Sequence, residues 1–527
     1  MKTISFIFYI IIFLCLSFVY AKNALHMFQQ QRYELTRYSK WLFNKNTIHF
    51  TYAFIYIILQ LLLFVLALCK VFNEVISILI SLIITVLFTI YLLFKEEKKV
   101  YIKDLVITKR VIRQIIAFSI IITLFICIFV RYTNVYVTGI LMTFMPYLLI
   151  YPMALITLPI EEAIKKHYEN DARKKLNKLD HITKIGITGS YGKTSTKNII
   201  NDIISENYFT LITPASYNTP MGITRTIREQ LKPIHQLFVC EMGADKVGDI
   251  SYLMEFVKPR FGIVTSIGPQ HLATFKSMEN IINEKMQEIE MLPIGGVGFV
   301  NLDNEYIANY HVKNNCKIVS VGIENENADY VAKNIKYTKD GSSFTVRINK
   351  KNYKFTTSLL GKHNITNILI GIALAIELNI SIDDIVKNVK MIKQVNHRLE
   401  VKKINEFTFI DDAFNSNPVG SKMALDVLSL MPGRRVIVTP GMIDLGSKQD
   451  EINYEFGEYM LNKADYVLLV GEKQTKQIYK GLNDCGYNMN NVIVFDNVKQ
   501  AINYVYGKFS VSDTILLEND LPDAFNV

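Results

Sequence analysis

The residue types best suited to chemistry stand together at Gly189-Ser190-Tyr191-Gly192-Lys193-Thr194-Ser195. Gly189 and Gly192 free the backbone to close its N–H groups around phosphate oxygens. A helix N-terminus following them adds its dipole, Lys193 supplies a cation for the β- and γ-phosphates, and the Thr194 hydroxyl can ligate Mg²⁺. Such a loop needs a strand before it and a helix after it. The chain supplies both, an apolar run at 184–188 and a helical pattern as far as Ser205. A glycine turn without function needs neither. Ile187 stands where the eight-residue phosphate-loop pattern has its first glycine.

Glu241 follows an apolar strand pattern at 236–240 and so falls at its carboxyl end, where ligands bind in an open α/β sheet. A carboxylate beside a phosphate loop suits Mg²⁺, a hard cation that takes oxygen ligands. Without the loop, Glu241 would read as a helix cap or a surface residue. His271 ends a strand and turn at 261–269, and a lone histidine is usually structural. Lys285 lies in a helical pattern at 281–290, where the bland role is a solvated lysine. Asn364 and Asn367 open another helical pattern, and asparagine there is a common cap.

The elements that must position these residues are legible as periodicity. Short β-branched runs at 184–188, 236–240, 261–265, 407–410, 435–439 and 466–470 alternate with longer helical patterns. That alternation predicts parallel sheets covered by helices, with chain enough for two α/β domains. No internal repeat is present.

The N-terminal third is different. The chain has 527 residues, half of them apolar, and its mean hydropathy of +0.20 is high for a soluble enzyme. Five apolar stretches, 4–19, 50–68, 75–94, 115–130 and 135–158, approach the ~20 residues a spanning helix needs. Pro146 and Pro152 are expected to kink the last. Lysine- and arginine-rich loops after the first, third and fifth stretches alternate with nearly uncharged ones. By the positive-inside rule the N-terminus is outside and everything beyond Leu158 is cytoplasmic. Val19-Tyr20-Ala21 resembles a signal-peptide cleavage site, but cleavage would put the basic loops or the C-terminal body on the wrong side. Residues 25–42, ending near the single Trp41, suggest an interfacial helix. The net charge of +10 suits anionic lipid surfaces and phosphorylated substrates, and no nucleic-acid partner is indicated. The glycine and proline content excludes collagen-like chains. Six scattered cysteines without a CxxC pair argue against a disulfide framework or a zinc site.

The motifs together resemble a family. Thr188–Ser195 resembles the ATP loop of the Mur ligases, which form amide bonds in cell-wall precursors. Matching blocks follow in order: Glu241-Met242-Gly243-Ala244 with Gly248-Asp249-Ile250, Ile267–Leu272, Gly361–Asn367, His397-Arg398-Leu399-Glu400, Asp411–Pro418 and Gly441–Gly446. The branch most similar adds D-alanyl-D-alanine to a muramoyl tripeptide. The apolar stretches imply an α-helical transmembrane domain at residues 1–160 with a connector at 161–181, and the resemblance implies α/β domains after it: a central P-loop ATPase-like domain at 182–398 and a Rossmann-like C-terminal domain at 399–527. It implies ATP held by Gly189, Ser190, Gly192, Lys193, Thr194, Ser195, Asn364, Arg398, Asp412 and Asn415. It also implies two Mg²⁺ ions near Thr194, Glu241, His271 and Lys285, with Lys285 carrying a carbamate. Lys193, His271, Lys285 and Arg398 would be the catalytic set. ATP contacts from both soluble domains would make closure assemble the site.

Two departures stand out. Mur ligases usually begin with a soluble UDP-binding domain. Here the apolar stretches occupy its place, so the peptidoglycan-type acceptor is expected to be UDP-linked or lipid-linked, with membrane lipids as neighbours. The chain also ends in Leu516-Leu517-Glu518-Asn519-Asp520-Leu521-Pro522-Asp523, acidic where the branch is basic. That leaves the incoming amine open. The rival functions are a ligase for another polymer such as polyglutamate, a silent membrane scaffold, and a transporter. The last lacks a second nucleotide domain and a Leu-Ser-Gly-Gly-type signature.

Overall fold

The computed structural model describes residues 2–43, 53–97, 104–132, 134–215, 217–338, 341–394, 398–413, 418–443, 445 and 448–519. The chain divides into two compact units, one of residues up to Lys166 and one from His167 to Leu521.

The first unit is helical: α1 (Lys2–Gln30), α2 (Leu35–Leu42), α3 (Ala53–Leu68), α4 (Glu74–Glu97), α5 (Lys109–Tyr132), α6 (Val135–Leu141), α7 (Met145–Leu148) and the first part of α8 (Ile150–Lys178), which continues into the second unit from His167. Among the described residues, four stretches are long and apolar enough to cross a membrane: Ile7–Gln30, Val75–Lys95, Lys109–Tyr132 and Met145–Lys178. Ala53–Leu68 is apolar but shorter, and residues 44–52 before it lie outside the described part. The expected single span at 135–158 is instead broken at Met142–Phe144. Pro146 sits in the first turn of α7. Proline has no N–H to donate and disfavours helix in the residue before it, so the chain breaks ahead of Pro146 rather than bending at it. Pro152 falls in the first turn of α8, where its missing N–H costs nothing. Nor is 25–42 one helix. The chain turns at Gln31–Tyr33, and Trp41 is buried with Tyr38 and Tyr147. Polar side chains fasten α3 to α4: Ser81 Oγ donates to Gln60 Oε1 at 2.7 Å, and Tyr56 Oη lies 3.0 Å from Thr85 Oγ1.

The second unit holds two sheets. The first contains β1 (Thr183–Thr188), β2 (Thr210–Ile212), β3 (Leu237–Glu241), β4 (Phe261–Val264), β5 (Val297–Asn301), β6 (Lys317–Gly322), β7 (Tyr330–Thr338), β8 (Gly341–Ile348) and β9 (Lys351–Thr357), in the order β2-β3-β1-β4-β5-β6-β7-β8-β9. Pairing is parallel from β2 to β7 and antiparallel from β7 to β9. Its helices are α9 (Lys193–Ile204), α10 (Pro220–Glu229), α11 (Asp249–Val257), α12 (Leu272–Phe275), α13 (Met278–Glu290), α14 (Glu305–Ala308), α15 (Lys362–Glu377) and α16 (Ile382–Lys390). Ile185, Ile187 and Val239 of the sheet bury against Ile199, Ile203 and the apolar length of α15. The chain moves to one side of β1 for β2 and β3, then to the other for β4. The strand order therefore reverses at β1, which opens a crevice at the carboxyl ends.

The second sheet runs β10-β11-β15-β12-β13-β14. Its strands are β10 (Glu400–Ile404), β11 (Phe407–Asp412), β12 (Arg435–Thr439), β13 (Tyr466–Val470), β14 (Val492–Phe495) and β15 (Thr514–Glu518), with helices α17 (Pro418–Ser429), α18 (Gln449–Tyr459), α19 (Glu472–Asp484) and α20 (Val498–Lys508). Only the β10–β11 pair is antiparallel.

Candidate active site

The loop between β1 and α9 lies in the crevice. Gly192 caps α9 with φ 83°, and Gly189 has φ 147°. A Cβ on Gly189 would strike the Thr265 side chain and come within 2.9 Å of Ser266 O, so glycine is required there on two counts. The turn after β4 fixes the loop from outside. The Ser190 N–H donates to Ser266 O at 2.7 Å, Thr265 Oγ1 donates to Tyr191 O at 2.5 Å, and Ser190 Oγ accepts from the Gly268 N–H at 3.0 Å. Ser195 is buried in the first turn of α9. Lys193 folds back onto its own loop, with Nζ donating to Gly189 O at 2.5 Å and Ser190 O at 3.0 Å. Desolvation lowers its pKa to about 8, and Glu241 works in the opposite direction.

Glu241 ends β3 and is 1% exposed. Its carboxylate is fully engaged. Thr194 Oγ1 donates to Oε1 at 3.1 Å, Asn218 Nδ2 donates to Oε1 at 3.0 Å, and Lys197 Nζ sits 2.9 Å from Oε2. Lys197 also donates to Ala215 O at 2.5 Å. Sequence reasoning missed Lys197 and Asn218. The only signal for Lys197 is its position four residues after Lys193, one turn along the face of α9 that meets β3.

His271, at φ 56°, caps α12 and places Nε2 3.4 Å from Asp245 Oδ1. Lys285 is 3% exposed on α13, with Nζ 6.0 Å from the Phe275 ring centroid. Desolvation lowers the Lys285 pKa to about 7. The Lys193 cation lowers it further, while Glu284 and Asp245 oppose the change. Asp245, four residues past Glu241, thus faces both His271 and Lys285. Sequence reasoning passed over it. One turn beyond Lys285, Glu288 is wholly buried with neither carboxylate oxygen hydrogen-bonded. Burial raises its pKa to about 8.

The start of α15 supplies the fourth wall. Asn364 Nδ2 donates to Leu360 O at 2.8 Å, which leaves less of that amide for a nucleotide than its position suggests. Asn367 is placed differently. Its Oδ1 lies 3.3 Å from where a Gly192 Cβ would stand, and its Nδ2 is buried without a partner. His363 Nδ1 is also buried and unpartnered, and burial lowers the His363 pKa to about 4.

Arg398 precedes β10. Burial lowers its pKa, and Asp412 and Glu241 raise it, so one guanidinium answers to carboxylates from both sheets. Asp412 Oδ1 accepts the Leu399 N–H at 3.1 Å, and burial followed by the nearby Glu518 raises its pKa to about 7. Asn415 lies outside the described residues. Glu518 is not an exposed acidic edge. It is 0% exposed and accepts from Ser421 Oγ and Thr439 Oγ1, each at 2.6 Å. The remaining acidic residues of that tail, Asp520 and Asp523, fall outside the described part.

Thr194 Oγ1 and Glu241 Oε1 are hard oxygen donors 3.1 Å apart at the mouth of the loop. They fit a Mg²⁺ that takes its other ligands from phosphate and water. Among the described residues no group of three or more His, Cys, Asp or Glu side chains converges as a self-sufficient metal site.

Comparison with known proteins agrees with this geometry. Residues 187–375 match the Mur ligase middle domain, and residues 397–518 match the Mur ligase glutamate ligase domain. The chain is 30% identical over 292 residues to the UDP-N-acetylmuramoyl-tripeptide–D-alanyl-D-alanine ligase of Escherichia coli, covering 55% of this chain and 64% of that enzyme. The match thus spans less than two thirds of that relative. Two solved structures share the fold. MurF from Acinetobacter baumannii has a TM-score of 0.61 at 24% identity, over 67% of this chain and 77% of that one. MurF ligase from Thermotoga maritima, solved in complex with ADP, has a TM-score of 0.61 at 23% identity, over 68% of this chain and 80% of that one.

Proposed function

We infer the function from one premise: the chain belongs to the Mur ligase family, whose middle and C-terminal domains fill residues 187–375 and 397–518. It is a membrane-bound, ATP-dependent ligase that joins a carboxylate to an amine on a peptidoglycan precursor. The observation that carries this is the buried Glu241 carboxylate, held by Thr194, Asn218 and Lys197 beside a glycine loop.

In the proposed reaction an acceptor carboxylate oxygen attacks the γ-phosphorus of ATP, and ADP leaves. The acyl phosphate is then attacked by an amine. Inorganic phosphate leaves, the amine loses a proton, and an amide remains. Lys193 exchanges its loop carbonyls for β- and γ-phosphate oxygens. Arg398 brings a second cation from the head of the C-terminal domain, and a guanidinium fork suits phosphate oxygens. Asn367 offers an unpartnered polar atom beside the loop, and His363, one turn earlier on α15, offers another. This is catalysis by placed charge, with donors fixed before the charge develops. Thr194 and Glu241 would hold a Mg²⁺, which would supply neutralisation of the phosphate oxygens. Lys285, with its amine driven toward neutrality, is suited to condense with CO₂. The resulting carbamate supplies anionic oxygen in a region crowded by Lys193.

Residues 1–160 anchor the ligase with the N-terminus outside and the soluble domains in the cytoplasm, and the acceptor is presented at the membrane. The test is ADP release by the detergent-purified chain with Mg²⁺ and bicarbonate, offered UDP-linked and lipid-linked muropeptides with a panel of amines. Release only with the lipid-linked acceptor supports presentation at the membrane. Release with the UDP-linked form leaves the helices as an anchor. Silence with both overturns the peptidoglycan assignment and favours another polymer or a scaffold.

A further inference from the structure

We propose that the amino-terminal edge of the nine-stranded sheet, opposite the phosphate loop, is a surface that seats on the anionic headgroups of a bilayer. Three large apolar side chains stand exposed on that edge. They are Phe209 at 63%, Ile234 at 60% and Ile294 at 107% exposure, each one to three residues before a strand begins.

Backbone hydrogen bonds make the edge continuous. The Gln236 N–H donates to Phe209 O, Thr183 to Gln236 O, Arg260 to Lys184 O, and Val297 to Arg260 O. The row therefore crosses β2, β3, β1, β4 and β5 without a gap. Ile294 tops a tight turn closed by the Gly296 N–H on Pro293 O at 2.8 Å, with Gly295 at φ 77°. Turns of this kind favour polar or glycine tips. A branched apolar side chain held fully out by a rigid turn is a feature that the fold itself does not require. Scattered exposed apolar residues are ordinary; three along one edge, interleaved with cations, are not.

The cations lie between them. Lys258 and Arg260 are exposed. Lys184 is half-buried beside them, its pKa lowered by burial and then by Lys258. Asp180 is the carboxylate that opposes them there, and Glu206 is the acidic residue nearest Phe209 in sequence. Apolar side chains flanking cations are the chemistry of an anionic lipid surface, where each lysine or arginine contributes on the order of 1 kcal/mol. The occupant is assigned as lipid because β1 begins only five residues after the end of α8, whose first part belongs to an apolar span-length stretch. The inference rests on the membrane reading of the N-terminal residues.

The test places the photo-crosslinker p-benzoylphenylalanine at 209, 234 or 294 of the full chain, in nanodiscs with or without phosphatidylglycerol. The control is position 247. Val247 is also 60% exposed, but it follows β3 on the phosphate-loop side. Lipid adducts are read by mass spectrometry. The expected result is adducts at 294 exceeding those at 247 by about tenfold in anionic discs, falling severalfold in zwitterionic discs and in the Lys258→Ser/Arg260→Ser variant. Equal adducts at 294 and 247, or adducts only to protein, overturn the proposal. Flotation of the same samples with vesicles separates this from failure of the membrane reading. A chain that does not float fails that reading, and a chain that floats without adducts fails this one. Adducts that persist undiminished in zwitterionic discs overturn the anionic assignment.

Discussion

The Lys197 ammonium lies 2.9 Å from a Glu241 carboxylate oxygen, and each side chain is only 1% exposed. The pair neutralises one carboxylate oxygen while Thr194 and Asn218 hold the other. A buried ion pair is weak evidence of net stabilisation, but breaking it from one side strands a charge, at about 3–5 kcal/mol. Lys197→Ala should therefore lower the thermal midpoint strongly and abolish ADP release. Lys197→Met combined with Glu241→Gln should recover stability without recovering activity. Full activity in the double variant would show that Glu241 has no role beyond packing.

Lys193→Ala removes the cation that the glycine loop wraps. Binding of a fluorescent ATP analogue and ADP release should both fall, the latter by about 10²–10³-fold as for loss of one preorganised electrostatic donor. The far-ultraviolet circular dichroism should be unchanged, because Lys193 bonds only carbonyls of its own loop.

Lys285 carries a pH signature. Its amine titrates near pH 7, and only the neutral form condenses with CO₂. Below pH 7 the ADP release rate should fall about tenfold per pH unit, and above it the rate should level off. Depleting bicarbonate should slow the wild type and leave the residual rate of Lys285→Ala unaltered. Equal bicarbonate dependence in both proteins would exclude a carbamate at this lysine.

Glu288 predicts a stability slope. Its pKa is raised by burial from an ordinary 4.5 to about 8, so the folded state holds a proton that the unfolded state releases between these values. Stability is complete below about pH 4.5 and is lost as pH rises toward 8, by on the order of a few kcal/mol. Glu288→Gln keeps the shape without the titration. Its thermal midpoint should be flat across that window while that of the wild type declines.

What the sequence reveals is local chemistry; what it conceals depends on partners far along the chain. Gly189, Gly192 and Lys193 are recognisable because spacing alone determines the loop. Lys197 lies in the same helix, yet its role comes from Glu241 on a strand two positions later in chain order. Asn364 illustrates the reverse, since its amide turns back onto Leu360 and Asn367 takes the position against the loop. The alternation of runs foretells parallel sheets, but the β7–β9 meander has alternating burial without strong apolar runs and escapes such a reading. The interruption at Met142–Phe144 is likewise hidden, because hydropathy averages over it while Pro146 acts on the residues before it.

The Lys193 contacts with Gly189 and Ser190 have one more consequence. With its ammonium satisfied internally, the loop is already shaped and carries no stranded cation. A nucleotide arriving there exchanges one set of oxygen acceptors for another and orders little new backbone. On the proposed function, the entropic cost of entry would be small, and so would the net gain in affinity. Product departure simply returns the lysine to its own carbonyls. On the proposed function, such a cradle would trade tight holding for quick exchange.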